Sequence, residues 1–141
     1  MKKSRVAVLA GMVGLVVLLD SPMAMAAEWQ GKMIDVRTGF ESRTWTSHYS
    51  GSKASFQECH SKGNGPHKNT VTISMWENVP FWPDHRIGAP AVLSECFKGG
   101  NHTSSFDRKI PAGTKVYLRV DQVNGEAKGD TVSIFSVAVS S

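Results

Sequence analysis

The side chains able to do chemistry in this sequence are four tryptophans, two cysteines, five histidines and a scatter of carboxylates. Asp84 and His85 are adjacent, and an acid beside a histidine becomes a nucleophile-activating set when a serine approaches. Any small protein with this many histidines and serines allows that drawing, so the pair alone identifies nothing. Glu41, Glu58, Glu77 and Glu95 could supply two carboxylates for glycoside cleavage, but no spacing makes two of them converge. The chain has no Gly-x-Ser-x-Gly, no His-Glu-x-x-His, no phosphate loop and no dinucleotide fingerprint. The reading is therefore of a non-catalytic protein, with a small extracellular hydrolase as the remote alternative.

Metal chemistry is equally sparse. Glu58, Cys59, His60 and His67 lack the two close ligand pairs of a zinc site. Asp121, Glu126 and Asp130 bracket the Asn124-Gly125 turn, and their oxygens suit calcium. The ordinary reading of that cluster is a solvated polar turn. Cys59 and Cys96 are the only cysteines once the first 26 residues are set aside, and in an exported protein an even count points to a disulfide between them. The loop it closes is long, worth roughly 3–4 kcal/mol on the chain-entropy model.

The aromatic residues carry the functional signal. Residues 78–90 hold Pro80, Pro83 and Pro90, which forbid a regular helix and a central strand. The same stretch holds Val79, Phe81, Trp82 and Ile87, and a loop this apolar either seals one end of the core or displays a binding surface. Phe81, Trp82, His85 and Arg86, with Trp76 just before them, form the candidate patch. Exposed aromatics among polar neighbours suit sugar rings or a protein partner. The expected function is that of a secreted binding module for carbohydrate, cell-envelope material or protein. The alternative is a secreted effector, an enzyme inhibitor or antimicrobial protein, using the same loop.

The elements that position this loop read as strands. Val116, Leu118 and Val120 alternate with Lys115, Tyr117, Arg119 and Asp121, the period of two of a half-buried strand. Val71, Ile73 and Met75 alternate in the same way with Thr70, Thr72, Ser74 and Trp76, which puts Trp76 on the face away from the aliphatics. Further strands are expected over 29–36 with Ile34 and Val36 inward, 43–49 with Trp45 and Tyr49 on one face, 54–59, 91–97 containing Cys96, and 103–110. Residues 110–139 read as a closing β-hairpin. In its second strand Val132 and Ile134 share one face and Phe135, Val137 and Val139 the other, which predicts a β-bulge between Ile134 and Phe135. Short strands with turn signals between them, and no helical period, predict an antiparallel two-sheet sandwich of jelly-roll or Greek-key type, with a small closed barrel as the rival.

Residues 1–26 read as a secretory signal peptide. Lys2, Lys3 and Arg5 precede the apolar run 6–19, and Ala24-Met25-Ala26 offers small residues for cleavage after Ala26. The run is shorter than the roughly 20 residues of a spanning helix, and no later stretch is apolar enough to span. Of 16 basic and 12 acidic residues the peptide takes Lys2, Lys3, Arg5 and Asp20, leaving 13 and 11, a formal charge of +2 on residues 27–141. These charges are scattered rather than gathered into a basic stripe, which argues against nucleic acid as a partner. The remaining residues fit one domain, extracellular or, in a Gram-negative source, periplasmic.

Overall fold

The computed structural model describes residues 27–141, so the expected signal peptide lies outside the described residues. Eight strands make up the fold: β1 (Ala27–Val36), β2 (Trp45–Thr46), β3 (Gly51–Lys62), β4 (Val71–Glu77), β5 (His85–Leu93), β6 (Thr103–Lys109), β7 (Lys115–Val123) and β8 (Thr131–Ser140). They form two four-stranded antiparallel sheets. Sheet I has the order β1-β8-β3-β6 and sheet II the order β2-β7-β4-β5. Neither closes into a barrel, and the architecture is the expected sandwich.

The alternating aliphatics fill the space between the sheets. Sheet II contributes Val71, Ile73, Met75, Val116, Leu118 and Val120, and sheet I contributes Ala54, Phe56, Val132, Ile134, Val137 and Val139, all buried. Phe56 stacks on Phe106 with ring centroids 6.0 Å apart, an arrangement that adds to simple area burial.

The closing hairpin is not a hairpin. β7 lies in sheet II and β8 in sheet I, so residues 124–130 cross from one sheet to the other. The crossing is held by side chains. Asn124, 1% exposed, sits at φ 54°. Its Oδ1 accepts from Ser61 Oγ and the Asn69 N–H, both at 2.9 Å, and its Nδ2 donates to Asp130 at 2.9 Å. Asp130 accepts the Gly65 N–H through the same oxygen. Gly63 and Gly65 are required here, because a Cβ on either would collide with Asp130 or Asn124.

The face switch in β8 is present but one position later than the pattern predicts. Ile134 and Val137 are both buried, whereas Phe135 is 41% exposed. β3 makes the same switch between Phe56 and Cys59, with Glu58 at φ 55°. The two strands bulge in step, so Gln57 still faces Ser136 and Cys59 faces Ile134. β1 absorbs the mismatch through a register shift between Gly31 and Met33. A further shift between Met33 and Val36, with Asp35 at φ 50°, turns Ile34 outward and Met33 inward. The expectation of Ile34 in the core fails for that reason.

Other boundaries differ too. The strand expected over 54–59 runs from Gly51 to Lys62. The 43–49 strand shrinks to Trp45–Thr46, with Trp45 buried and Tyr49 exposed. The 91–97 strand ends at Leu93, and Cys96 lies in a single 3-10 turn, Glu95–Lys98. The loop 78–90 is irregular only through 84, because His85–Leu93 forms a strand. That strand is the outermost of its sheet, which is where Pro90 can sit. Cys59 and Cys96 are bonded, with Cα atoms 5.2 Å apart, and both are buried. The bond ties β3 of sheet I to the 3-10 turn that follows β5 of sheet II.

Candidate functional site

β4 runs between β7 and β5, so its outward residues occupy the middle of the outer face of sheet II, where Thr72 and Ser74 are themselves buried. Trp76 is on that face, as its alternation predicts, and is half-buried. In register it stands between Tyr117 of β7 and Arg86 of β5. Its indole N–H donates to Ser74 Oγ at 2.7 Å. The Arg119 guanidinium carbon lies 5.3 Å from its ring centroid, a cation–π geometry. Trp76 is thus held on both its polar edge and its face.

The chain leaves β4 at Glu77 and returns to β5 at His85. Between them the backbone is folded over its own anchor. Asn78 N–H donates to the Lys115 carbonyl at 2.8 Å. One oxygen of Asp84 accepts the Val79 N–H at 3.0 Å, and the other accepts the Tyr117 hydroxyl at 2.6 Å. Both ends of the loop are therefore pinned to β7. At its tip Phe81 is fully exposed and Trp82 is 73% exposed. Phe81 also sits at φ 67°. An L-residue with a bulky side chain there costs about 1–2 kcal/mol. The loop thus combines an unfavourable backbone angle with two large apolar side chains held in water.

Asp84 is drawn toward Tyr117 rather than toward His85, so the pair does not form the acid–histidine couple of a triad. The Tyr117 hydrogen bond, with help from the Val79 N–H, holds the Asp84 carboxyl below its ordinary pKa. Burial, and then the bond to Asp84, push the Tyr117 hydroxyl well above its usual value. A depressed carboxyl contributes stability above its unfolded pKa of 3.8 and loses it as pH falls through the lower folded value. A raised phenol contributes below its unfolded pKa of 10 and loses it only in strong alkali. The loop anchor is therefore intact from mildly acidic to mildly alkaline pH. Acidification below about pH 3.8 should release the loop and change the emission of Trp82 before the sheets unfold. Tyr117→Phe should abolish that early step; its persistence in the variant would show that the anchor lies elsewhere.

Of the five predicted residues, Trp76 and Arg86 are register neighbours, Phe81 and Trp82 form the loop tip, and His85 pairs opposite Glu77 at the start of β5. The pattern missed Tyr117, Asp84 and Arg119 as the groups that hold the site. Tyr117 had a signal in its place on the polar face of an otherwise clean alternation.

The other candidates separate. Glu95 bonds to Lys98 at 2.8 Å and faces His102 at 3.3 Å, interactions that hold its carboxyl below the usual range. Glu58 and His60 flank a cleft of about 260 Å³ over the disulfide. Asp130 is turned to Asn124 and the Gly65 N–H, which hold its carboxyl low. Among the described residues no group of three or more His, Cys, Asp or Glu side chains could hold a metal ion, so Asp121, Glu126 and Asp130 do not assemble into a calcium site. No helix among the described residues is long and apolar enough to cross a membrane. Compared with protein-family models, curated proteins and solved structures, the chain matches none of them.

Proposed function

We propose that this is a secreted, non-catalytic recognition protein that engages a protein partner by inserting Phe81 and Trp82 into an apolar pocket. The observation that carries the reading is the fully exposed Phe81 held at a positive φ beside an exposed Trp82. This loop keeps two large apolar side chains outside the core. Large exposed aromatics are frequent anchors of protein interfaces. The bonds of Asp84 to Tyr117 and Val79 fix the loop beforehand, which lowers the entropy lost on binding. Inhibition of a foreign enzyme is one form of this reading. The disulfide suits an oxidising compartment, and residues 1–26 have the three-part order of an export signal.

The test is differential capture. Immobilised protein, Trp82→Ala and Phe81→Ala are exposed to extracellular and envelope proteins and, in parallel, to a glycan array. Because both side chains are exposed, each variant should melt within about 2 °C of the parent. Each should weaken binding of the captured partner at least about thirtyfold, the size of an interface hot spot. Identical capture by all three proteins would sink the loop as the binding element. The exported protein used in these assays should begin at Ala27, read by N-terminal sequencing.

A further inference from the structure

A second feature stands apart from the aromatic loop, on the side of the sandwich where β1 and the segment 37–44 part. β1 is the outer strand of sheet I. The segment 37–44 extends sheet II beyond β7, held by Gly39 N–H to the Val120 carbonyl, Val120 N–H to Phe40 and Ser42 N–H to Leu118, at 2.8–2.9 Å. Between them lies a cleft of about 150 Å³. Trp29, Met33 and Phe40 give its apolar lining, and Gln30, Lys32 and Arg43 its polar one.

Three properties of this cleft converge on one ligand chemistry. Its size is that of a single six-membered ring, since a cavity of about 150 Å³ accommodates benzene. Its charged lining is all cationic: Lys32 and Arg43 reach it and no carboxylate does. Its aromatic wall is braced and polar-edged. Trp29 packs edge-on against buried Trp45 with centroids 6.2 Å apart, and the Arg43 guanidinium lies 6.0 Å from the Trp29 ring. The Trp29 indole N–H is buried with no hydrogen-bond partner, although buried indoles normally find one. Gly31, beside Trp29 on the cleft wall, keeps the space next to the indole free of a side chain. The site thus has apolar faces for the C–H surface of a ring and two cations for an anion.

We propose that this cleft binds one pyranose ring bearing a carboxylate, as in a uronic acid unit of an acidic glycan. The ring lies against Trp29 and Phe40, and the carboxylate meets Arg43 and Lys32. The site is independent of the Phe81–Trp82 loop, and its ligand class differs from the protein pocket assigned to that loop.

The test follows the indole N–H signals of the ¹⁵N-labelled protein, with Trp29 assigned by Trp29→Phe, during titration with glucuronate, glucose and acetate. Glucuronate should move the Trp29 signal saturably, at about tenfold lower concentration than either glucose or acetate, because a charge-assisted contact and a ring contact each contribute about that factor. Arg43→Gln, at an exposed position, should raise the half-saturating concentration about tenfold without moving the melting temperature. Trp82→Ala should leave the titration unchanged, which separates this site from the loop. The proposal is overturned if the Trp29 signal stays still through tens of millimolar glucuronate. It is also overturned if acetate equals glucuronate, so that no ring is read, or if glucose equals it, so that no charge is read.

Discussion

Replacing both Cys59 and Cys96 with serine should lower the unfolding free energy by about 4 kcal/mol, the chain-entropy value for a loop of this length. The bridge spans 37 positions of sequence. For a domain of this size the melting temperature should fall by roughly 10–20 °C. Two features keep the loss from being smaller. Both half-cystines are buried, so the variant places two hydroxyls where sulfur met the core. The bond also joins one sheet to the turn that ends the edge strand of the other, and Cys96 N–H further donates to Ser104 Oγ at 2.9 Å. A single Cys59→Ser variant should fall at least as far and leave Cys96 free to form dimers. Urea denaturation with and without reductant checks the value. A loss below about 1 kcal/mol would mean that the two sheets stay docked without the bridge.

Asn124→Ala should be the most damaging change to a polar side chain, on the order of 3 kcal/mol. The variant strands the Asn69 N–H and the Ser61 hydroxyl, and takes one donor from Asp130. It also puts alanine at φ 54°. Asn124→Gly separates the two parts, because glycine adopts that angle freely and lacks the amide. It should be about 1 kcal/mol less damaging than alanine. Hydrogen exchange at Gly65 and Asn69 should accelerate in both variants. If Asn124→Ala melts like the parent, the crossing between β7 and β8 is held by something other than this amide.

Those two sites also mark what the sequence made legible. The disulfide followed from the cysteine number and the expected export. The inward faces of β4 and β7 followed from strict alternation, and so did the outward placement of Trp76. Alternation is a local property, however, and does not say whether the next strand pairs with its predecessor or crosses to the other sheet. Residues 110–139 looked like a hairpin because both strands alternate and a polar Gly-containing turn joins them. The decision was made by Asn124 and Asp130, whose partners Ser61, Gly65 and Asn69 lie some 55 to 65 positions earlier in the chain.

Bulges were the second source of error. Each one moves a side chain to the opposite face, so Ile34 and Phe135 looked like core and stand in water. Within the candidate site the prolines and the apolar content singled out the loop of Phe81 and Trp82 but left open whether it sealed the core or was displayed; both side chains are exposed. The loop's anchor was not legible, because Asp84 and Tyr117 are 33 positions apart and neither is unusual in its own neighbourhood. The same holds for the Trp29 cleft, whose two walls come from different sheets.

The order of sheet I has a consequence in time. β8 lies between β1 and β3, so β1 has no neighbour in the sheet until β8 arrives about a hundred residues later. Loop-closure entropy has to be overcome before such a contact brings any return, and sheets dominated by distant pairings assemble in milliseconds to seconds. A growing chain therefore exposes β1 and one side of β3 throughout its synthesis. It stays vulnerable to aggregation for that interval. The placement of a single strand sets how long that exposure lasts.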